Sequence, residues 1–385
     1  MKKPKIVRIT TVPLSLDKLL EGQLKYMANH FEVIAVSCWE DGYLKKIAER
    51  EGVQYHPIEM TRSITPAQDL KALFRMVKFL RQEKPEIVHT HTPKAGIIGM
   101  LAAKLAGVPI RLHTVAGLPL METSGPKRKI LNFVEKLTYA CASKVLPNST
   151  GLKDFIIKEK LASPNKLHIV GNGSSNGIDA NYFSKDHFSE EFLKALKKNL
   201  NISENDFVFI FVGRLVKDKG INELITAFSK IRQKNLKLLL VGSFEQNLDP
   251  LDENTLTEIN QNPNIISVGW QNDVRPYFAI SDALVFPSYR EGFPNVVMQA
   301  GAMGLPSIVS DINGCNEIIQ NRINGFIVPI KDRENLQIAM QRMLNEENIY
   351  EKLQQNARPT IVSQYKREAI WQKIYEIYQF YLNAK

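Results

Sequence analysis

One stretch in the second half of the chain decides the fold class: Phe207-Val-Phe-Ile-Phe-Val-Gly-Arg-Leu-Val-Lys-Asp-Lys-Gly220. Its first six residues are β-branched or aromatic and predict a buried strand, and a helical pattern begins at Ile221. Between them, Gly213 permits a tight turn, and Arg214 and Lys219 place two cations at the carboxyl end of the strand. This order predicts a parallel α/β fold whose loop could hold a diphosphate against side chains and helix N–H groups. The alternative is a charged loop that only caps the helix.

Strand and helix patterns alternate from this stretch toward both ends of the chain, which predicts parallel strands covered by helices on both faces. The Gly171–Gly177 segment is rich in Gly, Asn and Ser and predicts a hinge, because the alternation starts afresh after it. We therefore expect a first Rossmann-like domain over residues 1–175 and a second over 176–364. The helical pattern over 349–382 is expected to pack back on the first domain with its last part, residues 365–385. The predicted strands are Lys5–Val12, Phe31–Ser37, Gln54–Ile58, Ile87–Thr92, Ile110–Val115, Lys144–Pro147, Leu167–Val170, Asp206–Val212, Leu236–Val241, Ile265–Val268, Ala283–Phe286, Ser307–Ser310 and Gly325–Val328.

The composition is that of a folded protein with more than one domain. The 385 residues exceed one ordinary core, and 44% of them are hydrophobic against 23% charged. The three cysteines, Cys38, Cys141 and Cys315, are far apart and favour a reducing compartment, so we expect a cytoplasmic protein. Neither a signal peptide nor a membrane-spanning segment is indicated.

The positive charge is concentrated in the first half. Residues 1–170 contain 27 Lys and Arg against 15 Asp and Glu, whereas the remaining residues contain 23 against 25. This asymmetry indicates an anionic partner, either nucleic acid or phospholipid. A solvated basic surface is the alternative.

A second motif follows the predicted strand Ala283–Phe286 and reads Phe286-Pro-Ser-Tyr-Arg-Glu-Gly-Phe-Pro-Asn-Val-Val-Met-Gln299. Glu291 lies in the loop at the strand end, and Gly292 allows a ligand to approach the backbone closely. An acidic side chain beside backbone donors suits a polyhydroxylated ligand such as a sugar. Taken alone, such a residue is more often an ordinary carboxylate at a helix N-terminus.

These two motifs, with Gly301-Ala-Met-Gly-Leu-Pro306, resemble the retaining glycosyltransferases of family 4, which have the GT-B fold of two Rossmann-like doubly wound domains facing a central cleft. The resemblance extends over essentially the whole chain, and its first half is similar to the branch that builds capsule, O-antigen and other lipid-linked glycans in bacteria. It implies a hexosyl- or N-acetylhexosaminyltransferase, with a nucleotide sugar, first of all a UDP-sugar, as donor.

The resemblance also implies the roles of individual residues. Arg214 and Lys219 would bind the donor diphosphate and stabilise the leaving group, and Glu291 would hold hydroxyls of the donor sugar. Those three are the catalytic candidates. The other candidates for donor binding are Gly22, Gly213, Gly292, Phe293, Asn295, Val296 and Gln299, with Val297 beside them.

The chain departs from the family pattern at three positions. Gln299 stands where relatives commonly have a second Glu that holds the ribose, so donor affinity is expected to be weaker. Ala116 stands where many relatives have a His at the cleft. At the loop after the first strand only Gly22 matches the Gly-Gly turn of relatives, and a glycine at a helix start explains it nearly as well.

The acceptor candidates are His91, Lys94 and His113, at or near the carboxyl ends of their strands. Lys94 could bind an acceptor phosphate or be a solvated residue at a helix start. Lys127, Arg128 and Lys129 open a helix with an apolar face, which favours contact with an anionic membrane surface; a core-packed helix with a basic start is the alternative.

We therefore expect a glycosyltransferase on the inner face of the plasma membrane, with an acceptor carried on a polyprenyl diphosphate. The resemblance favours front-face transfer, and no Asp-x-Asp motif indicates a metal, so neither a metal nor another cofactor is expected. Two other classes stay open: a non-hydrolysing sugar-nucleotide epimerase, for which paired acids are missing, and a nucleic-acid-binding protein, for which no aromatic-basic module is seen.

Overall fold

The structure, a computed structural model, describes residues 3–245 and 249–384. It divides into two compact units. The first unit comprises Met1–Gly177 and Arg367–Lys385, and the second comprises Ile178–Lys366. The chain thus passes from one unit to the other twice, after Gly177 and after Lys366.

The first unit is a parallel six-stranded sheet with the order β3-β2-β1-β4-β5-β6. Its inner strands are buried on both faces, which explains why they read as largely apolar runs, whereas the edge strand Gln54–Pro57 is mostly exposed. The strands are β1 (Lys5–Ile9), β2 (Glu32–Ser37), β3 (Gln54–Pro57), β4 (Ile87–His91), β5 (Ile110–Val115) and β6 (Lys144–Pro147), and the helices are α1 (Pro13–Leu19), α2 (Gln23–Ala28), α3 (Tyr43–Glu51), α4 (Pro66–Glu83), α5 (Pro93–Leu105), α6 (Gly125–Cys141) and α7 (Thr150–Lys158).

The second unit repeats this plan with a parallel sheet of the order β12-β11-β10-β7-β8-β9. Its strands are β7 (Phe207–Val212), β8 (Leu236–Val241), β9 (Ile265–Ser267), β10 (Ala283–Phe286), β11 (Ser307–Ser310) and β12 (Gly325–Val328), and its helices are α8 (Glu190–Asn199), α9 (Ile221–Ser229), α10 (Glu253–Gln261), α11 (Arg275–Ala279), α12 (Asn295–Ala302), α13 (Cys315–Ile318), α14 (Arg333–Asn345) and α15 (Glu347–Tyr365).

The last helix, α16 (Arg367–Asn383), packs on the sheet of the first unit. Ile370, Ile374 and Tyr378 recur every four residues along it and lie in the same buried cluster as Ile6 and Leu112. The cluster on the other face of the sheet contains Val7 and Val88, as the alternation of side chains along a strand requires. The first unit is therefore completed by the C-terminal end of the chain.

Two expectations about secondary structure are wrong. Residues 167–170 form no strand: only Leu167 pairs with Val145, and the chain then turns at Gly171 with a φ of 60°. The helical pattern over 349–382 is not one helix, because Lys366 is extended and pairs with Ile178. The N–H of Ile178 donates to the carbonyl of Tyr365 at 2.8 Å, so the two crossings of the chain are tied together at this point.

Each sheet has one place where the strand order reverses. In the first unit it lies between β1 and β4, and in the second between β7 and β10. The loops that leave two such strands diverge to opposite faces, which opens a crevice at the carboxyl edge where ligands of doubly wound sheets bind. No helix within the described residues is long and apolar enough to cross a membrane.

Candidate active site

In the second unit, the loops after β7 and β10 contact each other through glycine. Gly220 has a φ of 71°, and a Cβ built on it would lie 2.1 Å from the carbonyl oxygen of Pro287. The N–H of Tyr289 donates to the carbonyl of Asp218 at 2.9 Å. Only glycine permits this contact, which holds the Gly213–Gly220 loop against the loop that carries Glu291.

This contact brings two of the predicted catalytic residues together. The Lys219 ammonium lies 2.5 Å from Oε1 of Glu291, and both side chains are largely buried, at 15% and 18% exposure. Lys219 comes from the loop after β7 and Glu291 from the loop after β10, so the ion pair spans the point where the strand order reverses.

The backbone at Glu291 is fixed by neighbouring loops. The hydroxyl of Ser288 donates to Oε1 of Glu291 at 3.1 Å. From the loop after β11, the side-chain amide of Asn313 donates to the carbonyls of Glu291 and Gly292 at 3.1 and 2.7 Å. At Gly314, with a φ of 76°, a Cβ would lie 2.6 Å from the carbonyl oxygen of Gly292. The carboxylate is therefore held in a preset position.

Arg214, the third predicted catalytic residue, pairs with a different acid. Its guanidinium donates to Glu245 at 2.9 Å, and its side chain is half exposed. The pKa of Arg214 is raised, first by this hydrogen bond and further by the charges of Asp218 and Glu291. Arg214 therefore belongs to the same charged site as Glu291, although it does not contact it.

The start of α12 supplies backbone donors beside these charges. Pro294 is its N-cap and has no side-chain capping bond. The N–H of Val297 donates to the carbonyl of Pro294 at 3.2 Å, so the N–H groups of Asn295 and Val296 remain for a ligand. Asn295 is exposed at the first helical position, and Val296 and Gln299 are partly buried on the following turn. Val297 is completely buried in the core, so the expectation that it borders the ligand is wrong.

The predicted loop residues divide between this site and the core beneath it. Gly213 follows β7 directly, with a φ of 152°, and a Cβ on the neighbouring Gly242 would lie 1.8 Å from its carbonyl oxygen. Phe293 is buried and packs edge-on against Tyr365, with 5.4 Å between ring centroids. Its backbone can serve a ligand while its ring anchors the turn.

Sequence reasoning missed the partners of these residues. It did not predict Glu245, Ser288, Asn313 or the ion pair in which Arg290 donates to Asp218 at 2.6 and 3.0 Å. Asn313-Gly314, a turn-forming dipeptide three residues after the end of a predicted strand at Ser310, was the signal for one of them. The cations of the edge are thus balanced by acids, and an anionic ligand could replace Glu291 or Glu245 at Lys219 or Arg214.

In the first unit, His91 lies in a buried network rather than at an open surface. The Arg8 guanidinium donates to Nε2 of His91 at 3.2 Å and to the side-chain oxygen of Gln23 at 2.5 Å. Burial and the Arg8 charge hold the pKa of His91 well below its usual range, so its ring is neutral. Nη1 of Arg8 and Nδ1 of His91 have no hydrogen-bond partner within the described residues. Sequence reasoning missed Arg8 because a strand arginine gives no sign of facing the interior.

His113 faces the other side of the same sheet. Its Nδ1 lies 2.8 Å from the hydroxyl of Thr90, and burial lowers its pKa to about 4. A Cβ on Gly96 would lie 2.5 Å from its ring, so α5 packs directly over it. This position is that of a core residue, and it offers nothing to an acceptor.

Gly22 is also enclosed by contacts within the first unit. It is the N-cap of α2 with a φ of 74°, and its N–H donates to Glu51 at 3.1 Å. A Cβ on it would lie 2.8 Å from the ring of Trp371 in α16. The N–H that a donor phosphate would need is already bonded.

Lys94 is largely buried in an ion pair, whereas the basic residues at the start of α6 are partly or fully exposed. Lys94 pairs with Asp69 at 2.5 Å, and its side chain is 11% exposed. Arg128 pairs with Glu159 at 2.9 Å, whereas Lys127 and Lys129 are exposed.

An ionisable side chain that sequence reasoning did not single out lies deeper in α6. Glu135 is 5% exposed, and burial raises its pKa to about 7. Its carboxyl group is therefore protonated in much of the folded protein near neutral pH.

Replacing Glu135 with glutamine is expected to stabilise the protein at pH 8.5 and to change little at pH 4.5. A carboxyl group whose pKa is raised on folding reduces stability as the pH rises from the unfolded value, near 4.5, through the folded value near 7. The difference should approach about 3 kcal/mol. Urea unfolding at the two pH values measures it, with Glu49→Gln, an exposed acid of α3, as control. A stability difference between Glu135→Gln and wild type that does not change with pH would contradict the buried ionisation.

Comparison with known proteins assigns the chain to a family. The family model for glycosyl transferases group 1 matches residues 193–360, which include every charged residue of the second-unit site, and that for a glycosyl transferase 4-like domain matches residues 23–173. A capsular polysaccharide biosynthesis glycosyltransferase, CapM of Staphylococcus aureus, is 35% identical over 99% of this chain and 98% of its own length. The chain belongs to glycosyltransferase family 4. It is a glycosyltransferase, and the epimerase alternative is set aside.

Two further comparisons agree with this assignment. A UDP-Gal:alpha-D-GlcNAc-diphosphoundecaprenol alpha-1,3-galactosyltransferase of Escherichia coli is 30% identical over 98% of this glycosyltransferase and 97% of its own length. The crystal structure of Anabaena HepE in complex with UDP and glucose superposes with a TM-score of 0.81 at 18% identity, covering 98% of this chain and 99% of that one. The expected GT-B fold is confirmed.

Proposed function

We propose that this glycosyltransferase moves a sugar from a UDP-sugar to a glycan acceptor carried on a polyprenyl diphosphate, in the synthesis of a cell-surface polysaccharide. The observation that carries the proposal is the Lys219–Glu291 pair at the carboxyl edge of the second unit, where a cation and a carboxylate lie 2.5 Å apart. The S. aureus and E. coli relatives, one capsular and one acting on a diphosphoundecaprenol acceptor, support the choice of pathway and acceptor.

The donor diphosphate is proposed to bind at Lys219 and Arg214, with further N–H donors from the start of α12. Glu291, released from Lys219 by the phosphate, would then accept hydrogen bonds from hydroxyls of the donor sugar. Charge-assisted hydrogen bonds of this kind are about twice as strong as neutral ones. The ion pair of the free protein thus keeps both side chains in place until the donor replaces it.

Transfer is proposed to occur with retention by attack on the front face of the sugar. The acceptor oxygen bonds to the anomeric carbon as the bond from that carbon to the phosphate oxygen breaks, and the acceptor proton passes to the departing phosphate. Lys219 and Arg214 would stabilise the charge that develops on the phosphate, and this stabilisation is the larger part of such catalysis. Two cations can supply it without a metal ion, so we propose a metal-independent reaction.

The enzyme is proposed to work at the inner face of the plasma membrane. Ile130 and Phe133 of α6 are exposed at 54% and 67%, beside the exposed Lys127 and Lys129. Apolar and basic side chains on one helix suit an anionic lipid surface, each cation contributing on the order of 1 kcal/mol.

The proposal is tested by thermal unfolding in EDTA with UDP, GDP, ADP and their sugars. UDP and one of its sugars are expected to raise the unfolding temperature, because a ligand bound only by the folded state stabilises it. Lys219→Met should lose the increase. Incubation with that UDP-sugar and a polyprenyl-diphosphate glycan should then give a product whose anomeric configuration is read by NMR. No protection by any nucleotide, or an inverted product, would overturn the proposal.

Replacing Gln299 with glutamate is expected to tighten binding of UDP by about 3–10-fold, because a charged acceptor for the ribose hydroxyls replaces a neutral one. Isothermal titration in EDTA measures the change. Gln355→Glu, an exposed residue of α15, makes the same chemical change away from the site and should leave the affinity unaltered. Equal effects of the two variants would show that Gln299 does not contact the nucleotide.

A further inference from the structure

The first unit contains a cavity of about 950 Å³ between α4, α5 and α6. This volume is at the upper end of the range, roughly 300–1,000 Å³, that small-molecule sites occupy. We call it the α4–α6 cavity. Leu70 and Ile130, which line it, are more than half exposed, so the cavity opens to solvent. None of the residues placed in the second-unit site lines it.

Each of the three helices presents one stripe of side chains to the cavity at helical spacing. On α5 the stripe is Lys94, Ile97, Ile98 and Leu101, and on α6 it begins with Lys127 and continues through Ile130, Leu131 and Val134. On α4 it contains Asp69, Leu70 and Leu73. A charged residue thus stands in the first turn of each helix, and apolar residues follow it.

The cavity therefore has a charged end and an apolar end. Helices that connect parallel strands begin at the carboxyl edge of the sheet, so Lys94, Asp69 and Lys127 lie toward that edge. Thr11 and Thr92, which follow β1 and β4, line the same end, and their hydroxyls lie 2.8 Å apart. Along α5, Leu101 lies about 10 Å beyond Lys94 at 1.5 Å per residue.

The charged end carries more cations than acids. Lys94 is paired with Asp69, whereas Arg62 and Lys127, which also line the cavity, have no ion-pair partner within the described residues. At the other end, Glu135 is buried in the wall, and its carboxyl group can be neutral. A ligand that fits must be anionic at one end and apolar along the rest.

We propose that the α4–α6 cavity binds the first isoprenoid units of the lipid acceptor, with the acceptor's diphosphate at Lys94, Arg62 and Lys127. The inference rests on the proposed transfer to a polyprenyl diphosphate and specifies where the lipid part of that acceptor is held. The diphosphate would replace Asp69 as the partner of Lys94, and the isoprenoid chain would run along the stripes of α5 and α6. Burial of the apolar surface of this isoprenoid chain would contribute to acceptor binding whatever sugar the acceptor carries.

The test is binding of farnesyl diphosphate to the full chain by isothermal titration, without donor. Farnesyl diphosphate should bind at least tenfold more tightly than inorganic diphosphate. Leu101→Trp fills the apolar end and should weaken binding of farnesyl diphosphate at least tenfold. Leu105→Trp, on the same helix one turn later, is exposed and does not line the cavity, so it should change the affinity less than twofold.

A second variant keeps the test valid if Leu101→Trp does not fold. Ile130→Gln, at a half-exposed position of the cavity lining, should weaken binding of farnesyl diphosphate several-fold, and Ile338→Gln, equally exposed on α14, should not. Equal affinities for farnesyl and inorganic diphosphate would overturn the proposal by indicating an anion site alone. Competition by lysophosphatidylglycerol at equal affinity would overturn it in favour of an acyl-chain site.

These experiments distinguish a failure of the cavity proposal from a failure of the proposed function. If Leu101→Trp did not change the rate of transfer to a polyprenyl-diphosphate acceptor, the cavity proposal alone would be defeated. If Leu101→Trp abolished the binding of farnesyl diphosphate but the enzyme transferred no sugar to a lipid-linked acceptor, the proposed function alone would be defeated.

Discussion

Replacing Glu291 with glutamine is expected to lower kcat/KM for glycosyl transfer by about 10²–10³-fold while the chain stays folded. The magnitude is that of losing one preorganised electrostatic contact in a catalytic site. Glutamine keeps the shape and one acceptor oxygen but loses the charge, so the sugar hydroxyls and Lys219 both lose their charged partner. Asn313 and Gly314 hold this loop through contacts with its backbone carbonyls, which do not depend on the carboxylate charge, so the geometry should survive.

The measurement is steady-state kinetics with the UDP-sugar that protects the enzyme. Glu346→Gln is a matched control, since Glu346 pairs with Arg342 at 2.8 Å on the surface of the same unit and should leave kcat/KM unchanged. The double variant Lys219→Met/Glu291→Gln should lose much less than the product of the two single losses, because residues that act as a unit are not additive. If Glu291→Gln retained full kcat/KM, the assignment of the donor sugar to this carboxylate would be abandoned.

The inner strands of both sheets could be predicted well because they are buried on both faces and read as largely apolar runs, whereas the edge strand β3 is mostly exposed. Leu236–Val241, Ala283–Phe286 and Gly325–Val328 have the predicted bounds. Residues 167–170 have the same composition but pair through only one residue. Whether an apolar run becomes a strand depends on a partner strand, and the local sequence does not contain that information.

The sequence predicts the two motifs of the candidate site, but it does not predict which of their side chains form ion pairs. Which acid pairs with Lys219 follows from β7 and β10 being neighbours in the sheet, a consequence of topology rather than of spacing along the chain. Arg214 illustrates the limit, since its partner Glu245 follows a third strand, β8. Motifs identify residues that could act together, whereas the fold decides which of them contact each other.

The acceptor candidates of the first unit also show what the sequence does not predict. The alternation of side chains along a strand places His89 on the same face of β4 as His91, and their rings lie 4.3 Å apart. It does not predict that α16, almost 300 residues later, covers that face and that Tyr378 bonds His89 at 2.6 Å. Similarly, the helical stripe of α5 has the pattern of a core helix, and only the positions of α4 and α6 leave a cavity beside it.

Replacing Gly220 with alanine is expected to destabilise the second unit by about 3 kcal/mol or more. A left-handed backbone alone costs an alanine about 1 kcal/mol, and the added Cβ would lie 2.1 Å from the carbonyl oxygen of Pro287. That neighbour is backbone, held by the bond from Tyr289 to Asp218, so the two loops must separate to accommodate it. Gly304→Ala provides the control, since Gly304 has a φ of 84° but nothing within 4 Å of its Cβ position, and it should lose only about 1 kcal/mol.

Urea unfolding followed by far-UV circular dichroism measures the two losses, and UDP protection reports the site. Because Gly220 joins the loop of Lys219 to the loop of Glu291, Gly220→Ala should also lose UDP protection at temperatures where it is still folded, whereas Gly304→Ala should keep it. Equal destabilisation by the two variants would mean that the two loops separate without a further loss of stability. The Lys219–Glu291 distance would then depend on the ligand rather than on the fold, and the preset geometry argued for Glu291 would fail with it.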